Sequence, residues 1–266
     1  MSAPSPLRAL PALLLAGLVL TAAGPLLAAA PYVGQADLDG DRIVFTAEDD
    51  LWSCDRAGGD VRRLTRFEGT EYFPHFSPDG AWIAFSGEYD GNRDVFVIPA
   101  SGGEPQRLTW HPAGDEVVGW TPGGEVIMRS RRNDPHGDWH LFTVAPGGGD
   151  PQPVPLGPAT RLAIDPDSGL WAFNRTERER STWKRYRGGT AADIWVGHPD
   201  RADYRQITDF AGPDEQPMWH DGRIYFLSDE GGTTNIWSCL PDGSGRTAVT
   251  AFTDWDARWP AMAPDG

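Results

Sequence analysis

One short pattern recurs along the chain and strongly limits the folds it can adopt. A turn that ends in glycine occurs six times, and the closing residues are Gly40, Gly80, Gly124, Gly169, Gly222 and Gly266. The steps between them are 40, 44, 45, 53 and 44 residues. A period of this length is typical of a β-propeller, in which each repeat forms one four-stranded blade.

The second repeat shows how one blade is encoded. Residues 74–76 predict a short strand, and the turn at residues 77–80 joins a proline to a glycine that can take positive φ. Residues 82–85 and 94–98 are apolar, β-rich runs that are too short to be helices. Residues 106–109 predict a fourth, more polar strand that suits an outer edge.

The other repeats keep this order, although the third departs from it at residues 151–154. Apolar residues show no helical spacing after residue 30, so very little helix is expected. The sequence therefore predicts an all-β propeller of WD40-like (PD40, TolB-like) repeats within residues 31–266. Five repeats are complete, and the chain ends in the first turn of a sixth, which predicts an incomplete ring.

The first 30 residues have a different composition. Arg8 is their only charged residue, residues 10–27 are rich in alanine and leucine, and three alanines follow. This pattern predicts a secretory signal peptide over residues 1–30 and export of residues 31–266 to the periplasm or the exterior. An uncleaved membrane anchor is the alternative, because the apolar run is long enough to span a bilayer.

Charge and cysteine usage limit the partners and the redox chemistry. The net charge of −15 disfavours a nucleic-acid partner. Cys54 and Cys239 occupy the same position in the first and fifth repeats. Equivalent positions in different blades lie beyond the roughly 7 Å that a disulfide can bridge between Cα atoms, so two free thiols are expected.

No catalytic motif, metal site or cofactor site is predicted. The chain has neither Gly-x-Ser-x-Gly nor His-Glu-x-x-His. Asp37, Asp39, Asp41 and Glu48 match part of a calcium loop, but Arg42 replaces the glycine that such a loop requires. An ordinary acidic turn before the first blade is the favoured interpretation, and the chain alone should lack peptidase activity.

Positive charge is concentrated in the loops between the second and third strands of two adjacent repeats. The third repeat carries Arg129, Arg131 and Arg132, and residues 175–187 of the fourth carry six basic and two acidic side chains. The candidate basic rim consists of Arg178, Arg180, Lys184, Arg185 and Arg187. Because these loops leave by the same face, they should be neighbours. They form either a binding surface for anionic groups or a solvated face with local Glu–Arg pairs.

Several longer strings resemble one family. They are residues 76–91, 102–109, 183–190 and 206–210. They resemble the N-terminal six-bladed propeller of tricorn-type serine peptidases, of the C-terminal-processing (S41) class, over about residues 32–266. The Ser-Pro-Asp-Gly turn alone is shared with TolB-like and prolyl-oligopeptidase-type propellers. The longer strings, above all residues 183–190, are more specific.

The resemblance implies a six-bladed ring that gates and binds oligopeptides or unfolded polypeptides for a peptidase parent. The catalytic Ser, His and Glu of such enzymes lie beyond a second propeller and a PDZ domain, in a region that this sequence does not contain. Arg131 and Arg132 match the basic pair thought to hold the C-terminal carboxylate of the substrate. Those downstream domains are the implied partners, and a homo-oligomer is a candidate assembly.

Two other functions remain open on the sequence. The first is a non-enzymatic TolB-like propeller that binds protein partners in the cell envelope. The second is the propeller of a prolyl-oligopeptidase-type enzyme, which would also carry an α/β-hydrolase domain with a Gly-x-Ser-x-Gly turn. The downstream sequence would discriminate among all three.

Overall fold

A computed structural model describes residues 33–177, 185–201 and 203–263. These residues form twenty strands arranged as five four-stranded antiparallel sheets, and none of them is helical. In the described part of the chain, therefore, no helix has the length and apolarity needed to cross a membrane. The predicted signal peptide, residues 1–30, lies outside the described residues.

Each sheet is one blade, and its strands follow one another in sequence order. Blade one contains β1 (Val33–Asp39), β2 (Arg42–Ala47), β3 (Asp50–Asp55) and β4 (Arg62–Arg63). Blade two contains β5 (Glu71–Phe76), β6 (Trp82–Gly87), β7 (Asp94–Pro99) and β8 (Gln106–Arg107). Blade three contains β9 (Asp115–Trp120), β10 (Val126–Ser130), β11 (His140–Val144) and β12 (Gln152–Pro158).

The last two blades repeat this plan. Blade four contains β13 (Arg161–Ile164), β14 (Trp171–Asn174), β15 (Ile194–Gly197) and β16 (Arg205–Gln206). Blade five contains β17 (Asp214–His220), β18 (Arg223–Ser228), β19 (Asn235–Cys239) and β20 (Thr247–Ala248). The first strands of successive blades contact each other. The predicted all-β propeller of five complete blades is thus confirmed.

The apolar core lies between neighbouring blades. Phe85, Phe173 and Phe226 occupy the same position of the second strand in three blades, and all are fully buried. Phe85 packs in one cluster with Leu51 of blade one, so the two sheets share a core. Because neighbouring blades cover each other's apolar side chains, the stability of the propeller depends on contacts between blades.

In four of the blades, a threonine that follows the fourth strand accepts a hydrogen bond from the third strand. Thr65 Oγ1 accepts a hydrogen bond from the N–H of Leu51 at 2.8 Å, and Thr109 Oγ1 accepts one from Val95 at 3.0 Å. Thr208 and Thr250 do the same in blades four and five. The repeated Leu/Ile/Val-Thr pair in the sequence therefore fixes the outer strand to the third strand.

Polar side chains at the end of the second strand join one blade to the next. Ser86 Oγ accepts a hydrogen bond from the N–H of Val117, in blade three, at 2.8 Å. Asn174 is fully buried, and its Oδ1 accepts from the N–H of Gln216 at 2.9 Å. Its Nδ2 donates to the carbonyl oxygens of Asp193 at 2.8 Å and Asp214 at 2.9 Å. One side chain thus bonds three backbone groups across blades four and five.

Replacing Asn174 with alanine should lower the free energy of unfolding by about 2–4 kcal/mol, because three backbone groups lose their partner. Chemical denaturation followed by tryptophan fluorescence would measure the loss. Gln152, whose exposed amide donates to the nearby carbonyl of Asp150, is the matched control. Gln152→Ala should change the free energy by less than about 0.5 kcal/mol. Equal losses in the two variants would contradict this role for Asn174.

Residues after blade five repeat the backbone geometry of a first strand. The N–H of Ala257 donates to the carbonyl of Thr234 at 2.8 Å, as the N–H of Asp214 does to Ala192. Trp259 has a φ of 49°, close to the 58° of Gln216, and each is followed by proline. The described chain therefore continues beyond five blades along the course of another first strand.

The two cysteines occupy the equivalent positions that the repeats predict. Cys54 pairs with Ile43 in blade one, and Cys239 pairs with Ile224 in blade five. Both thiols are free, which confirms the prediction. Burial raises the pKa of Cys239 to about 11, so this thiol stays protonated and unreactive at neutral pH.

Candidate functional site

The loop between β10 and β11 carries the predicted Arg131–Arg132 pair. Asn133 takes a left-handed φ of 62°, which turns the chain directly after the pair. The Asp134 carboxylate then accepts from the N–H groups of His136 at 2.7 Å and Asp138 at 3.1 Å. Its other oxygen lies 2.8 Å from Nε2 of His140. These bonds, that to His140 first, lower the pKa of Asp134 to about 2 and fix the shape of the loop.

The side chain of Arg132 is largely buried and bonded within the protein. Its side chain is 10% exposed, and its Nη2 pairs with the fully buried carboxylate of Asp115. Its backbone N–H and Nε both donate to Ser130 Oγ, at 3.2 and 3.3 Å. The guanidinium carbon lies 5.2 Å from the ring centroid of Phe142. Arg132 therefore neutralises a buried acid between the first and second strands of blade three.

Arg131 is the exposed member of the pair. Its guanidinium carbon lies 4.4 Å from the ring centroid of Trp139, which holds it by a cation–π contact. Arg129 approaches the same ring at 4.9 Å. Among the described residues, no carboxylate pairs with Arg131, so its N–H donors are available to a ligand.

A buried ionic network lies beneath this loop. Both Nε and Nη2 of Arg129 donate to Glu116, at 2.9 and 2.6 Å, and its Nη1 pairs with Glu177. Glu116 also pairs with Arg93, and Glu177 also accepts from Arg161 at 2.8 and 3.0 Å. Three arginines and two glutamates thus join blades two, three and four, and these five side chains carry one excess positive charge.

The predicted basic rim is only partly described, because Arg178, Arg180 and Lys184 lie outside the described residues. The other two members contact blade five. Arg185 Nε donates to the carbonyl of Gly232 at 2.7 Å, and Arg187 pairs with Asp229 at 2.8 Å. The partner of Arg187 is a buried aspartate of the neighbouring blade rather than a glutamate of the same loop. Glu177 of the fourth repeat pairs with Arg129, which lies in β10 of the third repeat.

The acidic partners and the aromatic support of this site were not predicted from the sequence. Asp115 and Glu116 open β9, and Trp139 precedes β11. The repeats contain a signal for Asp115, because Glu71 and Asp214 likewise open the first strands of blades two and five and are buried. No comparable repeat marks Trp139.

A second polar group lies where the first strands of blades one and two meet. Asp37 Oδ2 accepts from the N–H of Phe76 at 2.7 Å and lies 3.8 Å from Nδ1 of His75. Burial raises the pKa of Asp37 to about 7 and lowers the pKa of His75 to about 4. Asp37 thus bonds a backbone amide, while Asp39 pairs with Arg42. Within the described ranges, no group of three or more His, Cys, Asp or Glu side chains could hold a metal ion.

The fold and the site together define a β-propeller module in which arginines on one loop lie above a buried ionic network. A family model, "Tricorn protease N-terminal beta propeller domain", matches residues 30–266. The "Tricorn protease homolog 1" of Streptomyces coelicolor is 35% identical over 234 residues, covering 87% of this chain and 22% of that protein. This chain therefore belongs to the family of tricorn protease N-terminal β-propeller domains.

Solved structures agree with this assignment. The crystal structure of the tricorn protease superposes with a TM-score of 0.80 at 29% identity, over 88% of this chain and 24% of that chain. A putative TolB from Agrobacterium tumefaciens gives a TM-score of 0.66 at 18% identity, over 83% of this chain and 81% of its own. The TolB likeness shows the fold alone. The chain spans about a fifth of the length of the tricorn proteases and tricorn protease homologues it matches at 30–35% identity.

Proposed function

We propose that this chain is the substrate-binding and gating propeller of an exported, tricorn-like serine peptidase of the S41 class. The observation that carries the proposal is the match to the tricorn propeller over residues 30–266. The complete ring would have six blades, and the catalytic residues would lie in other domains of the parent, after a second propeller and a PDZ domain. The predicted signal peptide would direct the protein to the periplasm or the exterior.

The ligand in this proposal is an oligopeptide or an unfolded polypeptide with a free C-terminus. A guanidinium fits a carboxylate with two parallel hydrogen bonds, and such charged hydrogen bonds contribute roughly 1.5–3 kcal/mol. Arg131 is exposed and has no carboxylate partner among the described residues, so it would bind the carboxylate directly. Arg132, held by Asp115, would fix the position of Arg131 in the loop.

The TolB-like alternative, a non-enzymatic module that binds envelope proteins, has less support. Its structural likeness is at 18% identity, whereas the tricorn homologue of Streptomyces coelicolor is 35% identical. The family assignment also favours a peptidase parent over the propeller of a prolyl-oligopeptidase-type enzyme.

Arg131→Ala should lower the affinity for peptides with a free C-terminus at least about tenfold, because only these peptides offer a carboxylate. The affinity for the matching C-terminal amides should fall less than about twofold. Fluorescence anisotropy with labelled peptide pairs and the full-length protein would measure both. Arg62→Ala is the matched control, since Arg62 is 62% exposed and pairs with an exposed aspartate. An equal loss for acid and amide would show that Arg131 is only part of a solvated rim.

A further inference from the structure

We infer that a cleft between blades two and three recognises a large apolar side chain at the end of a bound peptide, and that Trp110 is the surface on which this side chain packs. The inference rests on the proposed function, because it takes a peptide as the ligand. It adds a preference for the terminal side chain, which a carboxylate contact alone does not provide.

Trp110 is exposed although it is a large aromatic residue. It lies in the connection from β8 to β9, and 64% of its surface is accessible. The adjoining cleft has a volume of about 430 Å³, and its lining includes Leu108, Pro112, Pro151 and Arg132. This volume falls in the range of small-molecule sites, and exposed tryptophans are enriched among residues that dominate binding.

The Trp110 ring is positioned by a chain of contacts. The guanidinium carbon of Arg107 lies 5.8 Å from the ring centroid. Arg107 is itself fixed, because it pairs with Asp94 at 2.6 Å and Asp90 at 3.0 Å, and its Nε donates to the carbonyl of Thr109 at 2.9 Å. A ring held in this way should lose little conformational entropy when a ligand packs on it.

The segment after Trp110 is also fixed. His111 Nδ1 accepts from the N–H of Ala113 at 3.1 Å. The His111 carbonyl accepts from Nδ2 of Asn92 at 2.9 Å and from the N–H of Gly114 at 3.3 Å. This wall of the cleft is therefore formed before any ligand arrives.

Two charged side chains, Arg132 and the exposed Asp150, line the cleft. The charge of Arg132 is matched by Asp115, so its contribution to the cleft wall is close to neutral. Arg131, the proposed carboxylate site, is the preceding residue in the chain. Because Arg132 lines the cleft, a peptide end held by Arg131 would have its last side chain within reach of the cleft and Trp110.

The test compares two peptides of the same length with free C-termini, one ending in phenylalanine and one ending in glycine. The full-length protein should bind the first about tenfold more tightly, because a large apolar side chain leaves water. Trp110→Ala should reduce this preference to about twofold or less, and Trp110→Phe should keep part of it. Trp255→Ala is the matched control, because Trp255 is 83% exposed and lies after blade five.

A Phe-over-Gly preference that survives Trp110→Ala would overturn the inference. So would an equal loss in Trp255→Ala, because the effect would then be one of general surface hydrophobicity. The acid–amide difference of the glycine-ending peptide reports on Arg131 alone. If that difference disappears in Arg131→Ala while Trp110→Ala changes nothing, this inference fails and the proposed function stands. If Arg131→Ala leaves the difference intact, the proposed carboxylate site fails.

Discussion

Replacing Arg129 with alanine should lower the free energy of unfolding by about 3–5 kcal/mol, which is the loss expected when one partner of a buried ion pair is removed. The side chains of Arg129 and Glu116 are each 7% exposed, and that of Glu177 is 5% exposed. Without Arg129, both carboxylates would lose their shared partner inside the protein. Because Glu116 also pairs with Arg93 of blade two and Glu177 with Arg161 of blade four, contacts between three blades would weaken together.

Urea denaturation of the wild type and the variant would measure this loss. Arg62→Ala is again the control, because an exposed Arg–Asp pair contributes at most about 1 kcal/mol. Arg129→Lys should give an intermediate loss, since lysine keeps the charge but lacks the planar fork that contacts both glutamates. If Arg129→Ala were no more destabilising than Arg62→Ala, the network would not stabilise the ring.

Replacing Asp37 with asparagine should reduce the loss of stability that the wild type undergoes between pH 5 and pH 8. Burial raises the pKa of Asp37 to about 7 in the folded state, against an ordinary value of 3.8. The folded protein therefore prefers the protonated acid. The contribution of Asp37 to the free energy of unfolding is fully present below its ordinary pKa, and it is lost as the pH rises towards the pKa of the folded state. Between pH 5 and pH 7 the wild type should lose about 2–3 kcal/mol through this group.

Asparagine keeps an oxygen that can accept from the N–H of Phe76 and carries no titrating group, so its variant should lack this component. His75 contributes with the opposite sign, because its pKa is lowered to about 4 and stability rises as the pH passes from there to its ordinary value of 6.5. That contribution is largely common to both proteins and should nearly cancel when they are compared.

Urea denaturation at pH 5, 6, 7 and 8 would give the two stability curves. Asp242→Asn is the control, because hydrogen bonds from Ser244 lower the pKa of Asp242 and place its titration below this range. Its curve should run parallel to that of the wild type. Parallel curves for Asp37→Asn and the wild type would show that Asp37 is already charged in the folded protein at pH 5.

The repeat pattern was sufficient to predict the blades. Residues 82–85 and 94–98 lie within β6 and β7, and residues 74–76 form the end of β5. Strand pairing inside a blade is local, because tight turns join successive strands and alternating apolar residues set the face that is buried. The same pattern placed Cys54 and Cys239 at equivalent positions in blades one and five.

The sequence by itself determined the fold class, the order of strands in each blade and the loop that carries Arg131 and Arg132. Only the tertiary structure decided that Arg132 is held by Asp115 while Arg131 remains exposed on Trp139. Adjacent arginines in a loop look alike in sequence. Their roles differ because burial makes an unpaired charge unfavourable, and which arginine has a carboxylate within reach depends on how strands from distant parts of the chain pack.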